Sequence, residues 1–320
     1  MPSFICDFLK EIVVLSDGGV TTCCMDPLGM NRFGSIYRDS FEDIQARYMS
    51  VRRRITKDVL LMPRCSRCFN KIKEQGFPET GTYKVDPDSA EIRRFIDRGR
   101  DDVFQLVIEL SSKCNLKCNG CMQSRVNFEE YRADPFLDVD YLQSWVGRYW
   151  GEVKKIRLYN YGETFMHPGA LGFCSFVKKH GPDTVVEIAT NGMLLDTHEK
   201  RREIVLSGVD DIVFSIHGSS QEIIQKYMTR KFSFEKVLDT LKDLAAIKHE
   251  LGFSKPRLFW KYLLFEWNDS DEEITRARTL SREIGLEGVI FGLVGFPAPS
   301  RRFTRHSEEW KRLVRESQAL

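Results

Sequence analysis

The chain has 320 residues, 42% of them hydrophobic, with a formal net charge of +2. That length leaves room for one large domain plus a small one, and the near-neutral balance argues against a dedicated nucleic-acid or membrane-binding surface. No apolar run reaches the roughly 18 residues that span a bilayer, and the start Met1-Pro2-Ser3-Phe4-Ile5-Cys6 lacks the regions of a signal peptide, so a cytoplasmic protein is expected.

Val13-Val14-Leu15 and Gly19-Val20-Thr21 flank Ser16-Asp17-Gly18, an Asp-Gly hairpin signal. A helix is expected next, over about 40–50, followed by the Cys-x-x-Cys clip Cys65-Ser66-Arg67-Cys68. Residues 76–103, with Gly76, Pro78, Gly81, Pro87 and Gly99, read as a connecting segment holding one short charged helix. The basic runs Arg52-Arg53-Arg54 and Arg93-Arg94 read as solvated helix faces, or as a patch that docks an acidic electron donor. From residue 104 short apolar runs alternate with longer helical patterns. Strands are expected at Phe104–Leu110, Lys155–Asn160, Val185–Ala189, Asp211–Ile216, Arg257–Leu264 and Gly288–Leu293. Such alternation implies parallel βαβ units, whose chemistry gathers at the carboxyl ends of the strands. The organisation expected is therefore a cysteine-rich region over 1–75, the connection over 76–103, and an α/β domain with a C-terminal helix over 104–320.

The chain has nine cysteines, which in a reducing compartment are ligands more often than disulfides. The first of the expected strands runs into Lys113-Cys114-Asn115-Leu116-Lys117-Cys118-Asn119-Gly120-Cys121. Thiolates packed this tightly in one loop suit a metal centre. A cubane wants four protein ligands, so three cysteines leave one iron open, as working metal sites require. A zinc loop is the competing reading, although zinc cysteines usually come as paired Cys-x-x-Cys clips.

The loop resembles the cluster-binding loop of the radical S-adenosylmethionine (radical SAM) superfamily. That resemblance implies a partial (β/α)6 barrel and a [4Fe–4S] cluster on Cys114, Cys118 and Cys121. It also implies S-adenosylmethionine (SAM) held on the open iron by its methionyl amine and carboxylate. One-electron reduction then yields a 5′-deoxyadenosyl radical that takes hydrogen from substrate. One departure is Gly120, where the family often has an aromatic residue, so any stacking by that side chain is lost. Tyr159-Asn160-Tyr161-Gly162-Glu163-Thr164 resembles the family's Gly-Gly-Glu motif, with Tyr161 replacing the first glycine. The likeness gives Gly162 and Glu163 the methionyl ammonium, for which a carboxylate is a natural partner. Ala189-Thr190-Asn191-Gly192 resembles the Thr-Asn-Gly turn and makes Asn191 a contact to cofactor or substrate, besides its turn role. In Ser215-Ile216-His217-Gly218, Ser215 is a candidate for the ribose hydroxyls. His217 is a candidate acid or base, or a hydrogen-bonded structural residue. In Gly288-Val289-Ile290-Phe291-Gly292 the family has the apolar strand beside adenine, although Val289 and Phe291 serve equally well in a core. Cys174, inside Phe173-Cys174-Ser175-Phe176, reads as a buried apolar residue or as a hydrogen-atom donor.

The remaining cysteines resemble a SPASM-type auxiliary-cluster domain, here placed before the barrel rather than after it. The resemblance implies one auxiliary [4Fe–4S] cluster on Cys6, Cys23, Cys65 and Cys68, with Cys24 as the alternative to Cys23. A structural zinc knot on the same thiolates is the competing reading. Together these features imply a radical SAM oxidoreductase acting on a small polar molecule, such as a sugar or aminocyclitol, by net two-electron oxidation. Alternatives are a maturase or epimerase with a peptide substrate and, outside catalysis, an iron–sulfur electron carrier or a zinc-stabilised binding module. The partners expected are a small-molecule or peptide substrate and a flavodoxin- or ferredoxin-type electron donor, with no nucleic acid and no membrane.

Overall fold

A computed structural model describes residues 3–6, 9–58, 62–75, 82–86 and 88–318. Gly76, Pro78, Gly81 and Pro87 of the expected connecting segment lie outside the described residues. The chain divides into two compact units. The first comprises residues 1–112, 128–161 and 180–184, and the second residues 113–127, 162–179 and 185–320.

In the first unit β1 (Ser3–Cys6) pairs antiparallel with β5 (Thr82–Val85). A second sheet forms from β2 (Ile12–Val14), β3 (Gly19–Thr21), β4 (Gly34–Ser35), β6 (Gln105–Ile108) and β7 (Lys155–Leu158), in the order β7-β6-β2-β3-β4. Strands β7, β6 and β2 run parallel, whereas β2, β3 and β4 alternate in direction. The Asp-Gly hairpin forms as the sequence predicts. Gly18 takes a φ of +73°, and the Tyr37 ring occupies the space where a side chain there would begin, so glycine is needed on both counts.

The helix Phe41–Lys57 starts on a capping box between Ser40 and Asp43. It buries Tyr48, Val51, Arg52 and Ile55 along one stripe. Arg53 and Arg54 are solvated, as their basic run suggests, but Arg52 is 0% exposed. The helical period puts it one turn beyond Tyr48 on the core face. There its guanidinium donates to Asp102 (2.6 Å) and to the Leu9 carbonyl (2.7 Å), and lies 4.1 Å from the Phe95 ring centre. A second buried pair joins Arg132 to Glu109 (2.7 Å), both 0% exposed at the side chain. Glu109 also accepts from the Ser16 amide and Asn160 Nδ2, and Arg132 donates to the Pro27 carbonyl. The hairpin, the loop after it and the ends of β6 and β7 thus share one polar hub.

In the second unit β8 (Val185–Thr190), β9 (Asp211–Ser215), β10 (Arg257–Leu264) and β11 (Gly288–Leu293) are parallel neighbours in chain order. Helices His198–Leu206, Phe234–Glu250 and Asp271–Ile284 make the crossovers, and Ser270 and Gly285 cap the last of these. Leu258, Trp260, Tyr262 and Leu264 alternate as fully buried residues along β10, sending Phe259, Lys261 and Leu263 to the opposite face. All six strands expected of an α/β barrel core therefore form, as β6 to β11. The expected C-terminal helix spans Glu308–Gln318. Among the described residues no helix is long and apolar enough to cross a membrane.

Candidate active site and second cysteine group

The cysteine loop belongs to the second unit and is tied down by backbone contacts at both ends. Its Lys113 carbonyl accepts from the Glu163 amide (2.8 Å), and the Asn119 amide donates to the Tyr227 carbonyl (2.7 Å). Ser124 donates to the carbonyls of Cys118 and Cys121, both at 2.8 Å. Cys114, Cys118 and Cys121 are half-buried free thiols. Burial, then the mutual repulsion of the sulfurs, pushes Cys118 up to about 12. Burial likewise moves Cys114 to about 11, with Glu163 and Cys121 adding to the shift, and raises Cys121. Backbone N–H groups oppose these shifts. Leu116 donates toward Cys114 Sγ (3.4 Å), Thr229 toward Cys118, and Met122 and Gln123 toward Cys121.

Three clustered thiols, each met by an N–H, fit an iron–sulfur cluster. Its iron displaces the protons, and its sulfurs are tuned by hydrogen bonds. Among the described residues no three His, Cys, Asp or Glu side chains are arranged to hold a single metal ion. A cubane needs no such convergence, because each cysteine binds a different iron.

Glu163 sits just beyond the loop in space and is 3% exposed. Its carboxylate accepts from Thr190 Oγ1 (2.7 Å), the Asn191 amide (2.8 Å) and the Phe165 amide (3.3 Å). Burial raises its pKa while these donors lower it. The Asn191 side chain then reaches the cysteine loop, donating to Asn115 Oδ1 (2.8 Å) with Cys114 Sγ at 4.0 Å. Gly162 precedes Glu163, and Ser215 ends β9 level with Lys261 of β10. One hydrogen-bonded chain thus joins the Gly-Glu segment, the Thr-Asn-Gly turn and the first cysteine.

His217 lies deeper. Its Nδ1 accepts from the Leu263 amide (3.2 Å), and its ring meets Tyr227 edge-on at 5.3 Å. Burial, with the Lys261 charge nearby, pushes it down to about 3. Cys174 is 0% exposed in the helix Ala170–His180, and burial pushes its thiol up to about 12. Val289 and Phe291 are both buried.

Several residues of this neighbourhood carry no sequence signal. Asn115, though inside the cysteine loop, gains its role only through Asn191, and Tyr227 is brought in by the fold alone. So is Phe296, which answers the glycine at position 120. Gly120 has a φ of +87°, and the Phe296 ring lies 2.7 Å from the point where its Cβ would stand. Arg125 covers the same ring at 4.8 Å. An aromatic group therefore does adjoin position 120, supplied by a segment far along the chain.

The second cysteine group lies wholly in the first unit. Burial, then Cys6, Cys24 and Cys65, raises Cys23. Cys65 is pushed up to about 12 by burial and then by Cys6, with Cys68 also contributing, while Asn31 Nδ2 donates to its sulfur (3.1 Å). Asn31 is itself fixed through Asp26, which accepts from Thr21 Oγ1 (2.5 Å) and from the Met30 and Asn31 amides (2.9 Å each). Cys24, which contributes to the shift of Cys23, also faces charged groups. Burial moves it to about 11, and its charged neighbours are Glu11, Arg157 and Lys10. Cys6, Cys23, Cys65 and Cys68 thus share one electrostatic neighbourhood of thiols, with Cys24 joined to it through Cys23, a donor set suited to a cluster.

Comparison with known proteins agrees with this geometry. Residues 108–253 match the Radical SAM superfamily, and residues 6–69 match an iron–sulfur cluster-binding domain of the SPASM type. The tungsten-containing aldehyde ferredoxin oxidoreductase cofactor-modifying protein of Pyrococcus furiosus is 30% identical over 156 residues, 48% of this chain and 41% of that protein. A GTP 3′,8-cyclase of Peptoclostridium acidaminophilum is 26% identical over 186 residues, 57% of this chain and 53% of its own. The chain thus spans about half the length of the curated relatives it matches. In fold it is similar to Streptococcus suis SuiB bound to S-adenosylmethionine, with a TM-score of 0.50 at 14% identity, over 98% of this chain and 69% of that one. The protein carries a radical SAM domain preceded by an iron–sulfur cluster-binding domain. Its cofactors are accordingly SAM, a [4Fe–4S] cluster and auxiliary iron–sulfur binding in the N-terminal domain.

Proposed function

We propose that the protein is a radical SAM oxidoreductase that dehydrogenates a small polar molecule, of the sugar or aminocyclitol class, in the cytoplasm. Cys114, Cys118 and Cys121 hold the SAM-binding cluster and leave its fourth iron to the cofactor. Gly162 and Glu163 receive the methionyl ammonium, Asn191 orients the ligand against the cluster loop, and Ser215 meets the ribose. Cys6, Cys23, Cys65 and Cys68 hold one auxiliary cubane. When bound, SAM and its cluster supply a 5′-deoxyadenosyl radical for hydrogen abstraction, and the auxiliary cluster supplies an acceptor for the electron that remains.

The observation that carries the reading is the chain Glu163–Asn191–Asn115–Cys114. A nearby cation stabilises a buried carboxylate, and three donors leave it lone-pair capacity for one more. The Asn191 bridge ties that capacity to the cysteine loop. Four thiolates on the auxiliary group would leave no iron open for substrate, which favours electron transfer there. The curated relatives bear names that concern GTP and a cofactor, which supports a small polar substrate over a peptide. A flavodoxin or ferredoxin is the natural reductant.

The test is anaerobic incubation of reconstituted protein with SAM and dithionite. Wild type should hold about eight irons per chain, the sum of two cubanes, and release 5′-deoxyadenosine. Cys118→Ala should lose that release, whereas Cys65→Ala should keep part of it while forming no oxidised product. Absence of 5′-deoxyadenosine from iron-replete wild type refutes the enzyme reading, and full turnover by Cys65→Ala refutes the electron-transfer role.

A further inference from the structure

Lys261 stands at the middle of β10, where among the described residues no carboxylate closes an ion pair with it. In the parallel register it is level with Ser215 of β9 and Ile290 of β11. It lies on the sheet face opposite Trp260 and Tyr262. Its Nζ comes to 3.1 Å from the point where a side chain at Gly292 would begin, so the glycine leaves the room that the ammonium occupies. Among the described residues no hydrogen bond or ion pair reaches that ammonium. Other partly buried lysines of the same unit do have carboxylates, Lys178 on Asp210 at 3.1 Å and Lys248 on Glu287 at 4.0 Å. Glu187 attracts Lys261 without closing an ion pair, and desolvation bears against its charge. Lys261 is half-buried, and an anion paired with it would offset that desolvation.

We propose that Lys261 binds an anionic oxygen group of the substrate, a phosphate or a carboxylate. An ammonium is a compact point charge suited to either group. Ser215, assigned to the cofactor ribose, lies in the same row, which puts the bound anion beside the cofactor. Gly292 is the third element of this subsite, because a larger residue would take the space the ammonium fills. This rests on reading the carboxyl ends of these strands as the cofactor and substrate site. It narrows the small polar substrate to one carrying a negative charge.

The test measures binding of radiolabelled inorganic phosphate, and separately of acetate, to reconstituted SAM-bound holoenzyme by equilibrium dialysis. Wild type is expected to bind one of these ions saturably at one per chain, and preference between them distinguishes a phosphate from a carboxylate site. Lys261→Met should weaken that binding at least tenfold while SAM affinity and 5′-deoxyadenosine release stay within twofold of wild type. Lys261→Gln provides the same test should the first variant fold poorly, and Lys242→Met, which removes an exposed lysine, is the control. No saturable binding of either ion to wild type, or equal binding by wild type and both variants, overturns the proposal. Loss of SAM affinity with anion binding intact overturns it too, because the cation would then serve the cofactor carboxylate. Failure of wild type to cleave SAM would refute the proposed function, while the dialysis still decides the role of Lys261.

Discussion

Replacing Glu163 by glutamine isolates the carboxylate's charge from its shape. The native oxygens accept from Thr190 Oγ1, the Asn191 amide and the Phe165 amide. The Asn191 N–H is a fixed donor, so the glutamine oxygen should turn toward it and the new NH2 toward Thr190. That orientation gives up the 3.3 Å contact from Phe165 and reverses the one with the hydroxyl, a loss of roughly one ordinary hydrogen bond, about 1 kcal/mol. Folding should therefore survive with a small drop in melting temperature. The cofactor's ammonium loses more, because a hydrogen bond to a charged group contributes about 1.5–3 kcal/mol. At about 1.4 kcal/mol per decade, SAM should bind roughly ten- to a hundredfold more weakly. Anaerobic calorimetry of SAM binding, with iron content and melting temperature as controls, measures this. A variant that is folded and iron-replete yet binds SAM within twofold of wild type refutes the ammonium assignment.

Other predictions concern the scaffold. Arg132→Met leaves Glu109 charged and buried at the junction of the hairpin and β6, and should cost about 3–5 kcal/mol by denaturant unfolding. A loss under 1 kcal/mol would mean that the pair contributes little. His217 gives a pH dependence. Its pKa falls from 6.5 unfolded to about 3 folded, so below pH 6.5 the unfolded chain takes up a proton that the native state refuses. Its share of stability is complete above that pH and declines as pH drops toward 3, by about 1.4 kcal/mol per pH unit. His217→Phe should flatten the stability curve between pH 6 and 4, and an unchanged slope would contradict the buried neutral imidazole.

The elements legible in sequence were those with a strong local signature. The six strands declare themselves by apolar, β-branched runs between helical patterns, and the hairpin by Ser16-Asp17-Gly18. The three-cysteine loop declares itself by spacing. What local pattern does not fix is which way a given side chain faces. Arg52 sits in a run of three arginines, and only the packing of its helix makes it the buried one. Cys23 and Cys24 each stand five residues after a glycine, so spacing leaves both frames open, and in the fold Cys23 is shifted by burial and then by other thiols whereas Cys24 also meets Glu11, Arg157 and Lys10. Gly120 likewise reads as a lost aromatic until Phe296, distant in sequence, is seen against it. Lys261 looks like an interruption of an apolar strand, and its place comes from the register that sets it level with Ser215 while its ammonium reaches toward Gly292.

The central claim is tested most directly by pulsed electron–nuclear double resonance on reduced, reconstituted protein carrying SAM labelled with 15N at its amine. A 15N hyperfine coupling to the cluster, absent from Cys118→Ala, is the predicted result. A fully loaded cluster that shows no such coupling, with its remaining iron ligated by a protein side chain, would contradict it.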